Sequence, residues 1–256
     1  MNQLLRIISF RIKRILDVGL ALMGLTLTSP VLLVVIFLVW KTDKNNPFYV
    51  AERVGKDFKP FRMIKLRSMV QNADKSGVDS TSEGDLRITP IGHFIRSYKL
   101  DELTQLINVM RGDMSLVGPR PNVKRETDLY TDVENTLLSV KPGITDFSSI
   151  VFSDEGEILS GQADPDIAYN QLIRPWKSRL GIFYIENRNF WLDLQLIFLT
   201  LIAVVSRESA LQRTTKALLR LGADSKLVDI SRRKEPLVPT PPPGSSVIVN
   251  SRNTET

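Results

Sequence analysis

The sequence contains no cysteine and only one histidine, His93, in 256 residues. Without cysteine there can be no disulfide framework, no cysteine nucleophile and no cysteine-ligated zinc or iron–sulfur site. One histidine cannot build a multi-histidine metal centre, and its place after Gly92 at the expected start of a helix indicates a structural role. Chemistry in this protein must therefore rely on carboxylates, basic side chains, hydroxyls and an oxygen-ligated cation such as Mg²⁺.

The excess of basic over acidic side chains is modest, since 34 Lys and Arg against 28 Asp and Glu leave a net charge of +6. Such an excess is typical of a protein that meets phosphate groups on nucleic acid, on an anionic membrane surface or on a phosphorylated substrate. Nucleic-acid binding would rest on net charge alone, because no aromatic stacking platform is evident, and we predict no nucleic-acid partner. Hydrophobic residues make up 43%, an ordinary value for a globular protein and too low for a multi-pass membrane protein.

One hydrophobic run stands out against this average composition, because Val18–Trp40 contains no charged residue. A straight helix of that length would be about 35 Å long, enough to cross a bilayer. Pro30, preceded by Ser29, divides the run into two arms, each shorter than the roughly 20 residues that a membrane span needs. A nearby hydroxyl, such as that of Ser29 or Thr28, is expected to bind a carbonyl that the proline leaves without a partner.

Basic residues flank the run on both sides, between residues 6 and 14 and again between residues 41 and 67. Because basic flanks favour the cytoplasmic side of a membrane, both ends are expected on the same side. A re-entrant helix that breaks at Ser29-Pro30 and returns fits this pattern, and on these features alone a kinked span is an equal alternative.

The remaining chain alternates between short β patterns and helical patterns. Residues 48–50 and 61–65 alternate with a period of two, which predicts strands. We predict helices over 92–111, 122–138 and 164–181, and an interfacial or core helix over Phe190–Val205.

The neighbouring carboxylates Asp101 and Glu102, here called the acidic pair, are the main candidates for chemistry. Two adjacent carboxylates can bind Mg²⁺, or one can act as a nucleophile while the other holds the ion. Arg96 precedes them and Arg120 follows, and guanidinium groups bind phosphate oxygens in a bidentate manner. In isolation, an Asp-Glu pair is more often a solvated helix face or a helix start favoured by the helix dipole.

Two basic motifs accompany the acidic pair. Lys65 and Arg67 share one face of a predicted strand and can point together at a phosphate or a lipid headgroup, or simply form an exposed edge. In the run Gly118-Pro119-Arg120-Pro121, prolines fix the backbone on both sides of Arg120, so that its guanidinium is held with little freedom. A rigid structural turn is the alternative for this second motif.

The order of the motifs along the chain is more specific than any single motif. In chain order they are Ser29-Pro30, ERVG (52–55), KLRSM (65–69), DLRITPIG (85–92), DEL (101–103), GDMSLVGPRP (112–121) and KPGIT (141–145). In this order they resemble the bacterial sugar transferases called monotopic phosphoglycosyl transferases, over about residues 11–200.

The resemblance implies an activity. Members of this family transfer a sugar 1-phosphate from a nucleotide-activated sugar, usually a UDP-sugar, to undecaprenyl phosphate, and release UMP. This step initiates surface glycans such as exopolysaccharide, capsule, O-antigen or glycoprotein glycan. The resemblance further implies that Asp101 forms an aspartyl phosphosugar intermediate, that Glu102 assists, and that both carboxylates hold Mg²⁺.

The resemblance also implies substrate contacts and a location. Arg96 and Arg120 match phosphate-contacting arginines, and Lys65 lies with Arg67 in the corresponding basic motif. The expected fold is α+β, a mostly helical monotopic membrane protein with an N-terminal re-entrant helix, a small β element and surface amphipathic helices. The expected location is the bacterial inner (cytoplasmic) membrane, in contact with lipid, with the catalytic domain facing the cytoplasm.

We divide the chain into a membrane-associated segment, 1–45, a catalytic domain, 46–206, and a C-terminal extension, 207–256, which is Pro-rich and expected to be disordered after about residue 235. Two positions depart from the family pattern, since Ala51 replaces the usual Gln and Thr104 replaces the usual Pro. A catalytically silent membrane-anchored scaffold on the same fold is the alternative function. The sugar and the oligomeric state, for which a homodimer is one option, are not determined by the sequence.

Overall fold

The computed structural model of the protein describes residues 3–76, 80–82 and 84–251. Most of the described chain is helical and the strands form small two-stranded sheets, which confirms a mostly helical α+β fold. The helices are α1 (Gln3–Asp43), α2 (Pro90–Ser97), α3 (Leu100–Leu103), α4 (Leu106–Arg111), α5 (Lys124–Thr127), α6 (Phe147–Val151), α7 (Glu155–Leu159), α8 (Pro165–Ala168), α9 (Arg174–Asn187), α10 (Phe190–Val205), α11 (Arg207–Arg220) and α12 (Ser225–Arg232). The strands are β1 (Phe48–Val54), β2 (Pro60–Leu66), β3 (Ser115–Val117) and β4 (Gly143–Thr145).

Helix α1 carries the long apolar run. Over Arg11–Asp43 it is long and apolar enough to cross a membrane, with a mean hydropathy of 2.5 in its most apolar window. One side of the helix is buried against the protein through Ala21, Leu32, Val35 and Val39. Many of its other large apolar side chains are exposed, among them Leu22, Met23, Leu27, Val31, Leu33, Val34 and Phe37. An exposed apolar surface of this kind is consistent with association with a membrane.

Helix α1 continues through Pro30, so the predicted break of the helix at Ser29-Pro30 does not appear. Pro30 has no N–H to offer the carbonyl of Thr26, and Ser29 Oγ donates to that oxygen at 2.8 Å instead. The predicted hydroxyl partner for the freed carbonyl is therefore confirmed, and it helps the helix to continue. Re-entry into the membrane stays a prediction.

The hairpin of β1 and β2 supplies the strand beside the acidic pair. The two strands pair antiparallel from Phe48 opposite Leu66 to Val54 opposite Pro60, which confirms the strands predicted over 48–50 and 61–65.

The single helix predicted over 92–111 is wrong, because α2, α3 and α4 occupy this segment as separate short helices. Lys99 separates the first two, since its left-handed conformation (φ 52°) cannot continue a right-handed helix. Gly112, with φ 93°, ends α4, in agreement with the predicted end of the helix at residue 111.

The parallel pair of β3 and β4 joins two of the sequence motifs. Just beyond β3, the Gly118 N–H donates to the Thr145 carbonyl at 3.0 Å, and the Gly143 N–H donates to the Pro119 carbonyl at 2.9 Å. A Cβ on Gly118 would lie 2.6 Å from the Lys141 carbonyl oxygen, and one on Gly143 would lie 2.1 Å from the Gly118 nitrogen. Only glycine permits backbones to approach so closely. The GPRP and KPG motifs thus pack directly against each other through their backbones, and this contact positions Arg120.

The helix predicted over 122–138 is also wrong as a single element. The segment forms α5 and then a 3₁₀ turn over Glu134–Ser139. The chain turns between them because Glu134 is fully buried and pairs with Arg174 of α9. The helix predicted over 164–181 is confirmed as α8 and α9, which a π-helical turn over Tyr169–Ile173 connects.

Helix α10 is half-buried, which fits the predicted interfacial or core helix. Leu192, Leu196 and Leu199 lie in the core, whereas Trp191 and Val205 are exposed. The C-terminal helices α11 and α12 extend the same core with a further set of buried apolar side chains, namely Ala210, Leu211, Ala217, Leu218 and Leu227.

Residues 234–251, here called the strap, lie along the surface of the protein. Thr131 Oγ1 donates to the Pro243 carbonyl at 2.5 Å, and Arg179 Nη2 donates to the Pro241 carbonyl at 3.0 Å. The Thr240 N–H donates to the Gln171 carbonyl at 3.0 Å. The segment expected to be disordered after about residue 235 thus makes these contacts and is described up to residue 251, and residues 252–256 lie outside the described residues. The prolines of the strap have no backbone N–H that would need a hydrogen-bond partner. Two of their backbone carbonyls accept hydrogen bonds from side chains of the folded body.

Candidate active site

The acidic pair lies in the first turn of α3, with Asp101 buried and Glu102 half-buried. Two polar side chains attach this turn to β2. Thr104 Oγ1 lies 3.1 Å from the carbonyl oxygens of both Ile64 and Asp101. Asn108 Oδ1 accepts from the Ile64 N–H at 2.9 Å. The threonine that departs from the family pattern thus fixes the acidic pair against the strand that carries Lys65.

Lys65 is the cation beside Asp101, with 3.6 Å between Lys65 Nζ and Asp101 Oδ2. Burial lowers the pKa of the Lys65 ammonium, and the charge of Asp101 partly offsets this effect. Within the described ranges, no hydrogen bond occupies the Asp101 carboxylate. The Asp101 carboxylate therefore has a cation beside it and no hydrogen-bond partner within the described ranges.

Glu102 is held differently, because Arg120 Nη2 donates to its Oε1 at 2.7 Å. Burial alone would raise the pKa of Glu102, but the charges of Arg120, Lys65 and Lys99 outweigh burial and hold this pKa at about 2. The same contact raises the pKa of Arg120 above its usual range. Glu102 is therefore a fixed anion, and its partner is the arginine that the two prolines were expected to fix.

Arg96 lies half-buried on α2, close enough for its positive charge to lower the pKa of Lys65. No ion pair of Arg96 is found in the part of the chain that the structure describes. The structure thus gathers Lys65, Arg96 and Arg120 around the acidic pair, and such a cluster of positive charge is chemically suited to phosphate groups.

Arg67 does not join this group, contrary to the prediction that it acts with Lys65. Its Nη1 and Nη2 atoms bind the Asp43 carboxylate at 2.5 and 2.7 Å, and its Nε donates to the Asn46 carbonyl at 2.8 Å. Arg67 lies one residue beyond the end of β2, where the two-residue alternation of a strand no longer controls its direction. It connects the end of α1 to the body of the protein.

A recess lies on the side of Arg120, the partner of Glu102, and contains further charged residues that the sequence analysis missed. Arg120 and Lys177 line it together with Asp146. Lys177 forms a close ion pair with Glu155 of α7. Burial would raise the pKa of Glu155, but the charges of Lys177 and Arg120 hold it below its usual range.

Glu155 and Lys177 lie on separate helices, and no sequence motif connects them. Asp146, in contrast, directly follows the KPGIT motif, and this position was a signal that sequence analysis could have used.

The donor set for a metal ion consists of the two carboxylates of Asp101 and Glu102. Among the described residues, no group of three or more His, Cys, Asp and Glu side chains is placed to hold a metal. Mg²⁺ is commonly bound by one or two protein carboxylates, with water and substrate phosphates completing its shell. The acidic pair therefore fits an ion that is held jointly with a diphosphate.

Comparison with known proteins agrees with this geometry. A family model described as bacterial sugar transferase matches residues 8–207. The UDP-galactose-lipid carrier transferase of Erwinia amylovora is 35% identical over 224 residues, which are 82% of this chain and 43% of that protein. The exopolysaccharide production protein ExoY of Sinorhizobium fredii is 33% identical over 207 residues, which are 75% of this chain and 84% of that protein.

A third relative is the UDP-N-acetylgalactosamine-undecaprenyl-phosphate N-acetylgalactosaminephosphotransferase of Aeromonas hydrophila, 32% identical over 199 residues, or 76% of this chain and 44% of that protein. The chain spans less than half the length of this relative and of the one from Erwinia amylovora. The family match includes the acidic pair, Lys65, Arg96 and Arg120, and it ends before α12 and the strap. Since that match covers most of the sequence, the chain belongs to the bacterial sugar transferase family.

Proposed function

We propose that this protein transfers a sugar 1-phosphate from a UDP-sugar to undecaprenyl phosphate and releases UMP. The names of relatives from Aeromonas hydrophila and Klebsiella pneumoniae contain both substrates. Because those names differ in the sugar, they support the reaction class and not one donor. The relative named for exopolysaccharide production supports a role in surface glycan synthesis.

The observation that carries the proposal is the difference between the two members of the acidic pair. Glu102 is bound to Arg120 at 2.7 Å, whereas the one ion-pair partner of Asp101 among the described residues is Lys65, at 3.6 Å. A carboxylate nucleophile needs a cation to orient it and an oxygen left available for bond formation. Asp101 meets both conditions.

The proposed reaction has two displacement steps. A carboxylate oxygen of Asp101 attacks the phosphorus that carries the sugar, and the bond from that phosphorus to the bridging oxygen of the diphosphate breaks. UMP leaves with the electron pair, and the sugar phosphate stays on Asp101. A phosphate oxygen of undecaprenyl phosphate then attacks the same phosphorus, which releases the product and restores the carboxylate.

The surrounding charges fit this chemistry, because phosphoryl transfer depends on positioning and on neutralising charge. Arg120, held by Glu102 and by its flanking prolines, presents a fixed guanidinium to the diphosphate. Lys65 and Arg96 add charge on the Asp101 side. Mg²⁺ held by Asp101 and Glu102 would neutralise further charge on the diphosphate.

We extend the proposal to the placement of the protein on the cytoplasmic side of the inner membrane. Both ends of the apolar run contact the same folded body, which supports a monotopic arrangement. Near the N-terminal end, Asp17 Oδ2 accepts from Ser115 Oγ at 2.9 Å. At the other end, Arg67 binds Asp43. In this arrangement a soluble donor and a lipid phosphate at headgroup depth can reach one site.

The proposal is tested with purified protein, Mg²⁺, undecaprenyl phosphate and a panel of UDP-sugars, by measuring the release of UMP. We expect at least one donor to release UMP, and Asp101→Asn to slow the reaction by on the order of 10⁴- to 10⁶-fold, as for the loss of other nucleophiles. Without undecaprenyl phosphate, wild-type protein should retain label from the donor sugar, and Asp101→Asn should not.

Asp128→Asn is the matched control, because Asp128 is an exposed carboxylate that pairs with Lys124, and it should keep wild-type activity. Full activity of Asp101→Asn would disprove the nucleophile. Absence of UMP release from every donor would favour the catalytically silent scaffold.

A further inference from the structure

The recess beside Arg120 contains polar side chains that the two displacement steps do not use. Besides Arg120, its wall includes Asn122, Tyr169 and Lys177, together with Asp146, which directly follows β4. Because Arg120 also binds Glu102, the recess adjoins the place where the diphosphate has to lie. A group bound in the recess would therefore belong to the same molecule as the reacting phosphate.

Asp146 has one satisfied and one unsatisfied carboxylate oxygen. The residue is only 1% exposed and caps helix α6. Its Oδ1 accepts from the Ser149 N–H at 2.8 Å, from Ser148 Oγ at 2.7 Å and from Ser149 Oγ at 2.9 Å. Its Oδ2 is buried and has no hydrogen-bond partner in the described part of the chain. A buried polar atom left without a partner is costly, so such an atom indicates a bound partner, either an ordered water or a donor group of a ligand.

The chemistry of this oxygen restricts the ligand. Burial raises the pKa of the Asp146 carboxyl, and its hydrogen bonds from Ser148 and Ser149 and the charge of Lys177 act against burial. In its ionised form the carboxylate only accepts hydrogen bonds, and phosphate would be repelled by it. The apolar chain of a polyprenyl lipid has no donor to offer. A hydroxyl group is a neutral donor that fits, and the nucleotide sugar carries hydroxyls on its ribose and on its hexose.

We infer that Asp146 Oδ2 accepts a hydrogen bond from a hydroxyl of the UDP-sugar, on either the ribose or the transferred hexose, and so makes the recess a recognition subsite for the donor. This inference rests on the proposed function, because the donor phosphates are placed at Arg120 and Asp101. Lys177, held by Glu155 and with its Nζ 5.3 Å from the centre of the Tyr169 ring, completes a rigid wall.

The alternative explanation is that Asp146 only caps α6. Two substitutions separate this structural role from recognition of the donor. Asp146→Ser keeps one oxygen for the cap and removes the position of Oδ2. Asp146→Asn keeps an oxygen for the cap and replaces the second oxygen by an N–H donor. Serine and asparagine are as good at helix N-caps as aspartate, so neither substitution should unfold the protein.

The experiment measures equilibrium binding of UDP-galactose, UDP-N-acetylgalactosamine, UDP-glucose and UMP to the full-length protein in detergent, with UMP release and melting temperature in parallel. For the sugar that wild-type protein binds best, we expect both variants to bind roughly 10- to 100-fold more weakly, with a melting temperature close to wild type. If UMP binding weakens by the same factor, Asp146 contacts the ribose. If UMP binding is unchanged, Asp146 contacts the hexose. Asp128→Asn should match wild type in every measurement.

The inference is overturned if both variants bind the donor as tightly as wild type, or if binding weakens only together with a fall in melting temperature. Its failure is distinguishable from that of the proposed function. If wild-type protein binds a UDP-sugar and releases no UMP, the transfer reaction is wrong, and the binding comparison still decides the role of Asp146. If wild-type protein binds no UDP-sugar, both are wrong.

Discussion

Two Glu–Arg ion pairs in this protein have the same chemistry but differ in burial, since one is fully buried and the other is partly exposed. The side chains of Glu134 and Arg174 are 0% and 1% exposed, and 2.5 Å separates their charged atoms. The side chains of Glu102 and Arg120 are 18% and 31% exposed, at 2.7 Å. The first pair, here called the closed pair, joins the turn after α5 to α9. The second, the open pair, lies beside Asp101.

The two pairs differ in how completely their hydrogen-bonding groups are used. Arg174 also donates to Asn170 and to the Leu129 carbonyl, and Glu134 also accepts from Ser178. Arg120 makes one hydrogen bond within the described chain, to Glu102. A saturated pair can only hold elements together, whereas a pair with unused donors can also bind a phosphate group. The two pairs consist of the same residue types. They differ in how many of the arginine N–H groups already donate hydrogen bonds within the protein, and this difference decides whether a pair can also bind a ligand.

The largest expected effect is on stability, from Glu134→Gln in the closed pair. The substitution leaves the Arg174 charge buried without a counter-charge, which costs about 3–5 kcal/mol in free energy of unfolding. We expect the melting temperature to fall by roughly 10 °C or more. Asp128→Asn, which opens the exposed pair with Lys124, is the matched control and should change stability by less than about 1 kcal/mol. A melting temperature of Glu134→Gln equal to that of the control would refute the structural role of the closed pair.

A smaller effect, on catalysis, is expected from Arg120→Lys in the open pair. Lysine keeps the charge but loses the planar fork that binds phosphate oxygens. We expect kcat/KM for UMP release to fall by about 10²- to 10³-fold, the range for the loss of one transition-state contact, with a melting temperature near wild type. If Arg120→Lys instead lowers the melting temperature as much as Glu134→Gln does, the two pairs are equivalent and the comparison fails.

The smallest expected effect concerns how the stability contributed by Glu102 depends on pH. We expect this contribution to be constant in the neutral range and to change only at acidic pH. Because the folded-state pKa of Glu102 is about 2, below the ordinary value of 4.5, its stabilising contribution is present above pH 4.5 and is lost as the pH falls toward 2. The difference in melting temperature between wild type and Glu102→Gln should stay constant from about pH 6 to about pH 8 and shrink below pH 4.5. A difference that changes between pH 6 and pH 8 would show that another group controls the pair.

Local patterns predicted several elements because the responsible interactions are local. The alternation over 61–65 gave β2, and Gly112 ends α4 through its left-handed conformation. The hydroxyl expected next to Pro30 is supplied by Ser29, one residue away. The breaks inside 92–111 and 122–138 were missed, because the first depends on the left-handed backbone at Lys99 and the second on the contact of Glu134 with α9.

Two expectations from the sequence differ from the contacts in the structure, one at Arg67 and one at the strap, and both differences have tertiary causes. Lys65 and Arg67 carry the same charge two residues apart, and only the position of Asp43 at the end of α1 decides that Arg67 binds there. The strap has the composition of a disordered tail, but Thr131, Gln171 and Arg179 lie where they can bind its backbone. The composition of a segment gives the number of its hydrogen-bonding groups. It does not show which surface of the folded protein will lie beside the segment and bind those groups.

The sequence by itself determined which chemistry can be proposed, since the absence of cysteine, the single histidine and the ordered motifs around Asp101 and Glu102 restrict it to carboxylates, cations and phosphate. Residue types and their order are properties of the chain, so they can be interpreted without coordinates. Only the tertiary structure decided which charges are free to act. The contacts of Arg120, Arg67, Glu155 and Asp146 join residues distant in sequence, and burial in the folded state determines whether a charge is saturated or available.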